Sequence, residues 1–156
     1  MFRARAVIFR DEHIALIKRE RSGRTYYVLP GGGSNPGETP AQTAIRECFE
    51  ETGLEISIHR LLAKVIYHNA EHYIFLANVR GGSFGSGKGP EMIGLYPPES
   101  GTFTPVWMPL AQIEQIDFYP ETIASLLSAY PASGWPDQIH EFVTEEKTSP
   151  NEPPSS

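Results

Sequence analysis

The fold is decided by residues 29–54, which read LPGGGSNPGETPAQTAIRECFEETGL. The stretch begins as the end of a strand, continues as a glycine-rich turn and then takes on the pattern of a helix. Thr39 is a favourable N-cap, Pro40 occupies the first helical position, and Gln42 completes a capping box with Thr39. Gly53 is the residue type that most often ends a helix. The stretch therefore predicts a strand, a turn and a helix that begins at Pro40.

Apolar and small residues recur within this helix at the helical period. They occupy positions i, i+3, i+4 and i+7 and predict one buried stripe: Ile45, Cys48, Phe49 and Thr52. Cys48 is the single cysteine of the sequence, so an internal disulfide is excluded. Its place in the stripe indicates a small buried hydrophobic residue rather than a nucleophile.

Three glutamates share roughly the opposite side of the helix. Glu47, Glu50 and Glu51 are spaced i, i+3 and i+4, so their like charges crowd one patch of the predicted surface. Either solvent screens these charges or a cation holds them together. Carboxylates and a backbone carbonyl are the ligands that Mg²⁺ and Mn²⁺ prefer. The glycines at positions 31–33 would let the backbone approach such an ion closely.

These residues resemble the signature of the Nudix hydrolases, the Nudix box. Gly32 is followed after five residues by Glu38 and, after seven more, by residues 46–54, RECFEETGL, with every fixed identity of the box in place. Cys48 stands where the box has a bulky aliphatic residue, a departure that concerns packing and not chemistry. The resemblance extends over most of residues 1–130. It implies an α/β fold, a Nudix-type α/β/α sandwich with a mixed central sheet.

The resemblance also implies a chemistry. Nudix hydrolases cleave a diphosphate linkage in a nucleoside diphosphate joined to another group, by attack of water on phosphorus. By resemblance, Mg²⁺, or alternatively Mn²⁺, is held by the Gly32 carbonyl together with Glu47, Glu50 and Glu51. Glu47 is in addition a candidate general base.

Two further residues complete the candidate catalytic set. Arg46 lies four residues before Glu50 and within reach of Glu38, so it is predicted to pair with carboxylates and keep them oriented, while Glu38 supports the loop. Glu91 lies in a long segment, residues 81–101, that shows no apolar period. It is either a solvated loop charge or an extra metal ligand or base, as some Nudix proteins use a carboxylate outside the box.

Basic residues are concentrated ahead of the acidic helix. Arg3 and Arg5 share one face of the first predicted strand, and Arg19 follows the second. They form a solvated edge or bind phosphate oxygens; Arg19 and Arg5 are the predicted substrate ligands, since Arg19 resembles a basic residue at this place in small Nudix proteins. Tyr26 and Tyr27 point to opposite faces of a further strand, so one belongs to the core and the other, predicted to be Tyr27, stacks on a base.

Composition limits the partners. The chain has 156 residues, 40% of them hydrophobic, and a net charge of −6, so the absence of a basic footprint argues against long nucleic acid as a partner. No apolar run reaches membrane-spanning length and the N-terminus has no signal-peptide layout, which predicts a cytoplasmic protein. Residues 1–130 are predicted to form one domain. Residues 131–156 are predicted to form an acidic, proline-rich tail, mostly unstructured, with residues 138–146 as a short docking element.

The sequence leaves several functions open. The main prediction is a metal-dependent hydrolase of a nucleoside di- or triphosphate derivative. ADP-ribose and nucleotide sugars present the same diphosphate, so a pyrophosphatase for these compounds is an alternative. A non-catalytic nucleotide sensor is another, although such sensors usually lack an intact box. The oligomeric state is also open, a homodimer included.

Overall fold

The computed structural model describes residues 1–67, 69–129 and 140–142. The strands are β1 (Arg3–Val7), β2 (Phe9–Arg10), β3 (His13–Arg21), β4 (Arg24–Val28), β5 (Gly31–Gly33), β6 (Leu54–Tyr67), β7 (Ala70–Gly82), β8 (Thr102–Pro109), β9 (Phe118–Tyr119) and β10 (His140–Phe142). The helices are α1 (Pro40–Thr52) and α2 (Glu121–Ala129), with 3₁₀ turns at Pro98–Ser100 and Leu110–Gln112. The predicted α/β class is confirmed.

The strands form two mixed sheets. In the first sheet the order is β10-β6-β7-β1-β5, with β1 parallel to β7 and antiparallel to β5. In the second the order is β2-β3-β4-β9, and β8 pairs with the other side of β3. The predicted mixed sheet is confirmed, but its strands are divided between two sheets because the chain leaves the first sheet after β1 and enters the second at β2.

The main hydrophobic core joins both sheets to α2. Its fully buried side chains include Val7 of β1, Ile17 of β3, Ile74 of β7 and Leu127 of α2. Each such side chain contributes roughly 1.5–3 kcal/mol when it leaves water. Successive residues of a strand face opposite ways, so the neighbours of Val7 on β1 point away from this core. The first sheet is therefore covered on two faces.

Helix α1 packs on the other face of the first sheet. Ala44 and Cys48 are fully buried there in two small clusters, the first with Ala4 and the second with Ala6. Burial raises the pKa of the Cys48 thiol to about 12, so the thiol is protonated at neutral pH. This agrees with its predicted role as a buried hydrophobic residue.

The buried face of α1 is rotated from the predicted stripe. Cys48 is buried as predicted, but Ile45 and Phe49 are 38% and 49% exposed. Glu47 and Glu51, predicted on the surface, are only 8% and 4% exposed. They face β5, where glycines without side chains leave room for carboxylates beside the backbone. The contacts of these two glutamates with β5, and not the period of the apolar residues, therefore determine which face of the helix is buried.

The capping signals of α1 are confirmed. The Gln42 N–H donates to the Thr39 side chain at 3.2 Å, the Thr39 N–H donates to Gln42 Oε1 at 2.9 Å, and Gly53 ends the helix with φ 82°. The positive φ favours glycine at this position. The helix that carries the glutamates is thus fixed at both ends by local sequence.

Removing the N-cap is expected to weaken this helix measurably. Thr39→Ala deletes the acceptor for the Gln42 N–H and should lower the free energy of unfolding by about 1 kcal/mol. Chemical denaturation followed by circular dichroism measures the change, with Thr39→Ser, which keeps the hydroxyl, as the matched control. Equal losses in both variants would show that the hydroxyl does not act as the cap.

The predicted tail falls mostly outside the described residues. His140–Phe142, within the predicted docking element, forms β10 and pairs in parallel with β6. The rest of residues 131–156 lies outside the described residues, so the domain boundary and the unstructured character stay predictions. In the described part of the chain, no helix combines the length and apolar character needed to span a membrane.

Candidate active site

A cavity of about 440 Å³ opens beside β5 and collects charged residues from several elements. Its lining includes Arg3 of β1, Gly32 of β5, Glu47 of α1 and Glu91 of the loop between β7 and β8. A larger cavity of about 780 Å³ lies beside the end of β7 and Trp107, but no acidic side chain of the described residues lines it. The smaller cavity therefore has the chemistry of a site for a cation or phosphate.

Glu51 of α1 is more deeply buried than Glu47, and it is not among the described residues that line the cavity. Its Oε1 accepts a hydrogen bond from the Gly31 N–H at 2.7 Å. Burial raises the pKa of Glu51 well above the usual 4.5, and the Glu47 charge adds to the effect, while the Gly31 N–H and Arg5 oppose it. In the metal-free protein this carboxylate is therefore held in an environment that disfavours its charge.

Glu47 lies directly against the backbone of Gly32. A Cβ atom at position 32 would come within 2.7 Å of the Glu47 carboxyl carbon, so any side chain there would displace the carboxylate. Burial raises the pKa of Glu47, and the charges of Glu50 and Glu91 act in the same direction. The absence of a side chain at Gly32 thus leaves room for the Glu47 carboxylate.

Arg46 joins the carboxylates to the loop before the helix. Its Nε donates to Glu38 Oε2 at 2.7 Å, and its Nη1 donates to Glu47 at 3.0 Å and to Glu50 at 3.1 Å. Its Nη2 donates to the Gly33 carbonyl at 2.9 Å. The Arg46 guanidinium lowers the pKa of Glu38 to about 2. The predicted supporting contacts of Arg46 and Glu38 are present in the structure.

The loop between β7 and β8 delivers Glu91. Two backbone hydrogen bonds attach this loop to the end of α1, from the Gly85 N–H to the Thr52 carbonyl at 2.8 Å and from the Gly89 N–H to the Glu50 carbonyl at 2.9 Å. Glu91 Oε2 is buried, and no residue of the described ranges donates a hydrogen bond to it. A buried carboxylate oxygen without a donor is costly, so this oxygen is free to accept a hydrogen bond or to bind a cation.

The residues fit a divalent cation, although they do not close around one as they stand. No group of three Asp, Glu, His or Cys side chains within the described ranges is arranged to hold a metal ion. The reason is visible in the contacts, since Arg46 holds Glu47 and Glu50 and the Gly31 N–H holds Glu51. The donor set is all oxygen, which suits Mg²⁺ or Mn²⁺. A cation bound here would also neutralise the buried Glu91 oxygen that accepts no hydrogen bond from the described residues.

Comparison with known proteins decides the family. The NUDIX domain model matches residues 1–129 of the chain. The chain belongs to the Nudix family. RNA pyrophosphohydrolases from Yersinia enterocolitica and Yersinia pestis are 51% identical to it over 43 residues, which is 28% of this chain and 25% of theirs. The matched segment thus spans about a quarter of the length of these curated relatives.

Solved structures agree on the Nudix fold. An ADP-ribose pyrophosphatase from Streptococcus suis aligns over 90% of this chain and 97% of its own, with a TM-score of 0.61 and 21% identity. A Nudix hydrolase from Nitrosomonas europaea aligns over 93% of this chain and 78% of its own, with a TM-score of 0.66 and 16% identity. A MutT Nudix hydrolase from Burkholderia pseudomallei aligns over 79% and 93%, with a TM-score of 0.57 and 26% identity.

Two predicted substrate ligands lie away from the Nudix site cavity. Arg5 is 2% exposed and its Nη1 donates to the Leu29 carbonyl at 2.8 Å, so it sits beneath β5 and not in the cavity. Burial, followed by the Arg3 charge, lowers the pKa of Arg5 to about 10. Tyr27 is half-buried and packs against the main core, of which the neighbouring Tyr26 is a buried member, and Tyr27 is not among the described residues that line the cavity. Both placements concern side-chain direction, which depends on strand pairing, and the substrate-binding roles of the two residues stay predictions.

Arg19 does line the cavity, but its guanidinium is largely engaged. Nη2 donates to the Ser100 carbonyl at 2.7 Å and Nε donates to the Thr102 carbonyl at 3.2 Å. The guanidinium carbon lies 3.6 Å from the centre of the Phe103 ring. Arg19 therefore fixes the start of β8. The sequence did not indicate this role, because Ser100 and Thr102 lie 81 and 83 residues after Arg19.

Arg3 also lines the cavity, although the sequence pattern had singled out Arg5 and Arg19. It lines the cavity beside Gly33, whereas Arg5, two residues on, is buried. Burial lowers the pKa of Arg3, and the Glu47 and Glu51 charges oppose this effect. The face shared by Arg3 and Arg5 was visible in the sequence, but which of the two stood at the open end of the strand was not.

A substitution that preserves the charge of Arg46 is expected to impair the site. Arg46→Lys keeps one positive charge but cannot reach Glu38, Glu47 and the Gly33 carbonyl together, because the planar fork is lost. The affinity for Mg²⁺ should fall roughly 10- to 100-fold. A Mg²⁺ titration of the melting temperature measures this, with Arg80→Lys on an exposed part of β7 as the control. Wild-type affinity in Arg46→Lys would show that orientation by the fork is unimportant.

Proposed function

We propose that this Nudix protein is a metal-dependent hydrolase that cleaves the diphosphate linkage of a nucleoside di- or triphosphate derivative by attack of water on phosphorus. One observation carries the proposal. The intact box folds so that Glu47 and the Gly32 backbone meet Arg3 and Glu91, from elements distant in sequence, around one cavity. Carboxylates that can bind a metal ion and an arginine that can bind phosphate then line the same cavity. A reaction on a diphosphate requires both.

The proposed metal ligands are the Gly32 carbonyl, Glu47, Glu50 and Glu51, with Glu91 as a further carboxylate. A bound Mg²⁺ or Mn²⁺ would neutralise phosphate oxygens and polarise the phosphorus they surround. Arg46 keeps Glu47 and Glu50 in place through its hydrogen bonds. Arg46 thus restrains two of the proposed oxygen donors, which would still have to close around the ion.

Glu47 and Glu91 are the two candidates for the group that accepts the proton from water. Glu47 is fixed by Arg46 and by the Gly32 backbone, which favours it as the base. Glu91 has an unpartnered buried oxygen, which equally suits an acceptor. A positioned carboxylate base typically contributes 10²–10⁴-fold to rate, so the two assignments are separable by experiment.

Arg3 is the proposed phosphate ligand of β1. It lines the cavity together with Glu47 and Glu91. Within the described ranges no hydrogen bond occupies the Arg3 side chain, whereas the side chains of Arg5 and Arg19 donate to backbone carbonyls. A guanidinium at this place can donate two parallel hydrogen bonds to a phosphate. Arg3 is thus proposed in addition to Arg19 and Arg5, the substrate ligands predicted from sequence.

A nucleotide panel tests the proposal. The panel contains ATP, GTP, ADP-ribose, diadenosine tetraphosphate and an RNA oligonucleotide with a 5′-triphosphate, each with Mg²⁺ and again with excess EDTA. Release of phosphate, pyrophosphate or mononucleotide from one class, abolished by EDTA, is the expected result. ADP-ribose and the RNA end are included because the compared proteins are an ADP-ribose pyrophosphatase and RNA pyrophosphohydrolases. Saturable binding of a nucleotide without turnover of any compound would favour the sensor and overturn the enzyme assignment.

A further inference from the structure

The proposed hydrolysis makes no use of the larger cavity, here named the Trp107 cavity. Its volume is about 780 Å³, and small-molecule sites typically occupy roughly 300–1,000 Å³. It shares none of its described lining residues with the cavity beside β5. Its chemistry also differs, since two arginines and no acid of the described residues line it. The Trp107 cavity therefore suits an anionic ligand that needs no metal ion.

Arg10 supplies the positive charge that a ligand can reach. Its side chain is exposed, and no carboxylate of the described residues forms a salt bridge with it. The guanidinium carbon lies 5.7 Å from the centre of the Trp107 ring, which keeps the charge beside the cavity. A guanidinium can donate two parallel hydrogen bonds to a phosphate. Arg10 is therefore the candidate anion ligand, whereas Arg80 Nε already donates to Ser57 Oγ at 2.8 Å.

Two aromatic rings line the same cavity as Arg10. Phe84 and Trp107 are both half-buried, and their rings stack with centres 4.7 Å apart and a tilt of 29° between the planes. Both side chains pack against the small core cluster that contains Cys48 of α1, so the pair is held in place from below. A flat ring of a ligand gains energy by stacking on such a surface. The pair therefore suits the aromatic part of a ligand whose anionic part lies at Arg10.

The backbone of β7 supplies hydrogen-bonding groups along this cavity. β1 pairs with β7 as far as Leu76, whereas β7 continues to Gly82, and residues 77–82 line the cavity. In the described part of the chain, no strand pairs with residues 77–82 on the side of β1. The N–H and C=O groups of such an edge bind either a further strand or a polar ligand. A heterocycle such as a nucleobase carries donors and acceptors that can meet them.

A peptide strand suits this edge less well than a compact ligand does. In the pairing of β7 with β6, Val79 and Gly81 have partners and Arg80 between them has none, so Arg80 is the extra residue of a bulge. A bulge bends the strand and interrupts its edge, which disfavours the addition of another strand. Regular backbone geometry at the open edge is thus confined to residues 77–79. The edge favours a ligand that needs few backbone contacts.

We propose that the Trp107 cavity is a second, metal-independent binding site for a small ligand that joins a phosphate to a flat heterocycle, as a nucleoside monophosphate does. Arg10 binds the phosphate, the Phe84–Trp107 pair stacks on the heterocycle, and the open edge of β7 binds its polar atoms. All three features line one cavity, so one ligand can meet them together. None of the box glutamates takes part, so this binding does not depend on the proposed hydrolysis.

AMP is the probe for this site, because it has no diphosphate linkage to hydrolyse. Isothermal titration calorimetry with excess EDTA compares AMP with adenosine, which lacks the phosphate, and with ribose 5-phosphate, which lacks the base. AMP should bind saturably, and each fragment should bind at least about 10-fold more weakly. A Trp135→Phe variant leaves Trp107 as the single tryptophan of the sequence. AMP should quench the fluorescence of this variant over the same concentration range, which reports the cavity that is occupied.

Two substitutions test the assigned contacts. Arg10→Gln should weaken AMP binding about 10-fold or more, because a charge-assisted hydrogen bond is lost, and it should leave adenosine binding unchanged. Phe84→Leu keeps an apolar side chain but removes the ring, and it should weaken AMP and adenosine alike by about 10-fold. Lys88→Gln is the matched control, since it removes an exposed positive charge from the loop that carries Phe84 and does not line the cavity.

The outcomes separate this site from the enzyme assignment. Absence of saturable AMP binding with EDTA, or AMP binding that Arg3→Gln weakens and Arg10→Gln does not, would overturn the second site even if the wild type hydrolyses nucleotides. Quenching of Trp107 by a polyglutamate peptide and not by AMP would also overturn it, in favour of an acidic protein partner. Conversely, AMP binding that depends on Arg10, with no turnover of any nucleotide in Mg²⁺, would support the second site and refute the hydrolase.

Discussion

Glu51→Gln is expected to remove most metal-dependent turnover while leaving the metal-free fold intact. The amide keeps the shape of the side chain and an oxygen that can accept the Gly31 N–H at 2.7 Å. It loses the negative charge that a divalent cation needs, and loss of that cation's charge stabilisation should lower kcat on the order of 10²–10³-fold or more. Initial rates with saturating nucleotide and Mg²⁺ measure the effect. Glu55→Gln, the same change on an exposed side chain four residues on, is the control.

The stability of the same variant gives an independent readout. The pKa of Glu51 is raised above 4.5 in the folded protein, chiefly by burial, so the native state binds this proton more tightly than the unfolded chain does. The contribution of Glu51 to the stability of metal-free protein is therefore lost as pH rises through and above 4.5. Glu51→Gln should flatten this loss, and at neutral pH with EDTA it should melt at the wild-type temperature or above. A large drop in melting temperature would show that ionised Glu51 stabilises the fold.

The addition of Mg²⁺ should reverse the order of stability. A ligand that binds only the native state raises its stability in proportion to the logarithm of its concentration above Kd. Wild type should gain melting temperature with Mg²⁺, and Glu51→Gln should gain little. Equal gains in the two proteins would remove Glu51 from the set of metal ligands and place the ion elsewhere.

Local signals were sufficient to predict α1 and its ends. Thr39, Gln42 and Gly53 act through neighbours three or four residues away, so their effects are readable without tertiary structure. The inward face of α1 was not readable in the same way. The apolar period predicts that Ile45 and Phe49 face inward. In the structure, pairing with β1 places the glycine strand β5 beside the helix, and Glu47 and Glu51 are buried against it instead.

The site residues also divide into those that act over short spacings in the sequence and those that depend on tertiary structure. The box glutamates and Arg46 act over short spacings and were identified from sequence, and their ligand roles stay predictions. Arg5, Tyr27 and Arg19 depend on strand register and on contacts across as many as 83 residues. Tyr96 also lines the Nudix site cavity. It gave no sequence signal, because a single tyrosine in a segment without an apolar period resembles any exposed loop residue. Only the fold places it against Phe103.

Glu47→Gln is expected to lower kcat roughly 10²–10⁴-fold if Glu47 is the base, because one change removes both a proton acceptor and a ligand charge. The fold should tolerate the substitution, since Gln retains an oxygen for Arg46 and remains small enough to lie against Gly32. Burial raises the pKa of Glu47 in the metal-free protein, and a bound cation opposes that effect by favouring the charged form. The wild-type rate should therefore rise with pH on the acid side.

Glu91→Gln is the comparison that assigns the base. If Glu47 accepts the proton, Glu91→Gln should weaken Mg²⁺ binding yet recover most of its rate at saturating Mg²⁺, and its pH profile should keep the wild-type acid limb. If Glu91 is the acceptor, Glu91→Gln should lose its rate even at saturating Mg²⁺. Glu47→Gln should then recover most of its rate at high Mg²⁺ and keep the wild-type acid limb. A rate lost in both variants would mean that proton transfer needs both carboxylates, since the Glu91 charge raises the pKa of Glu47.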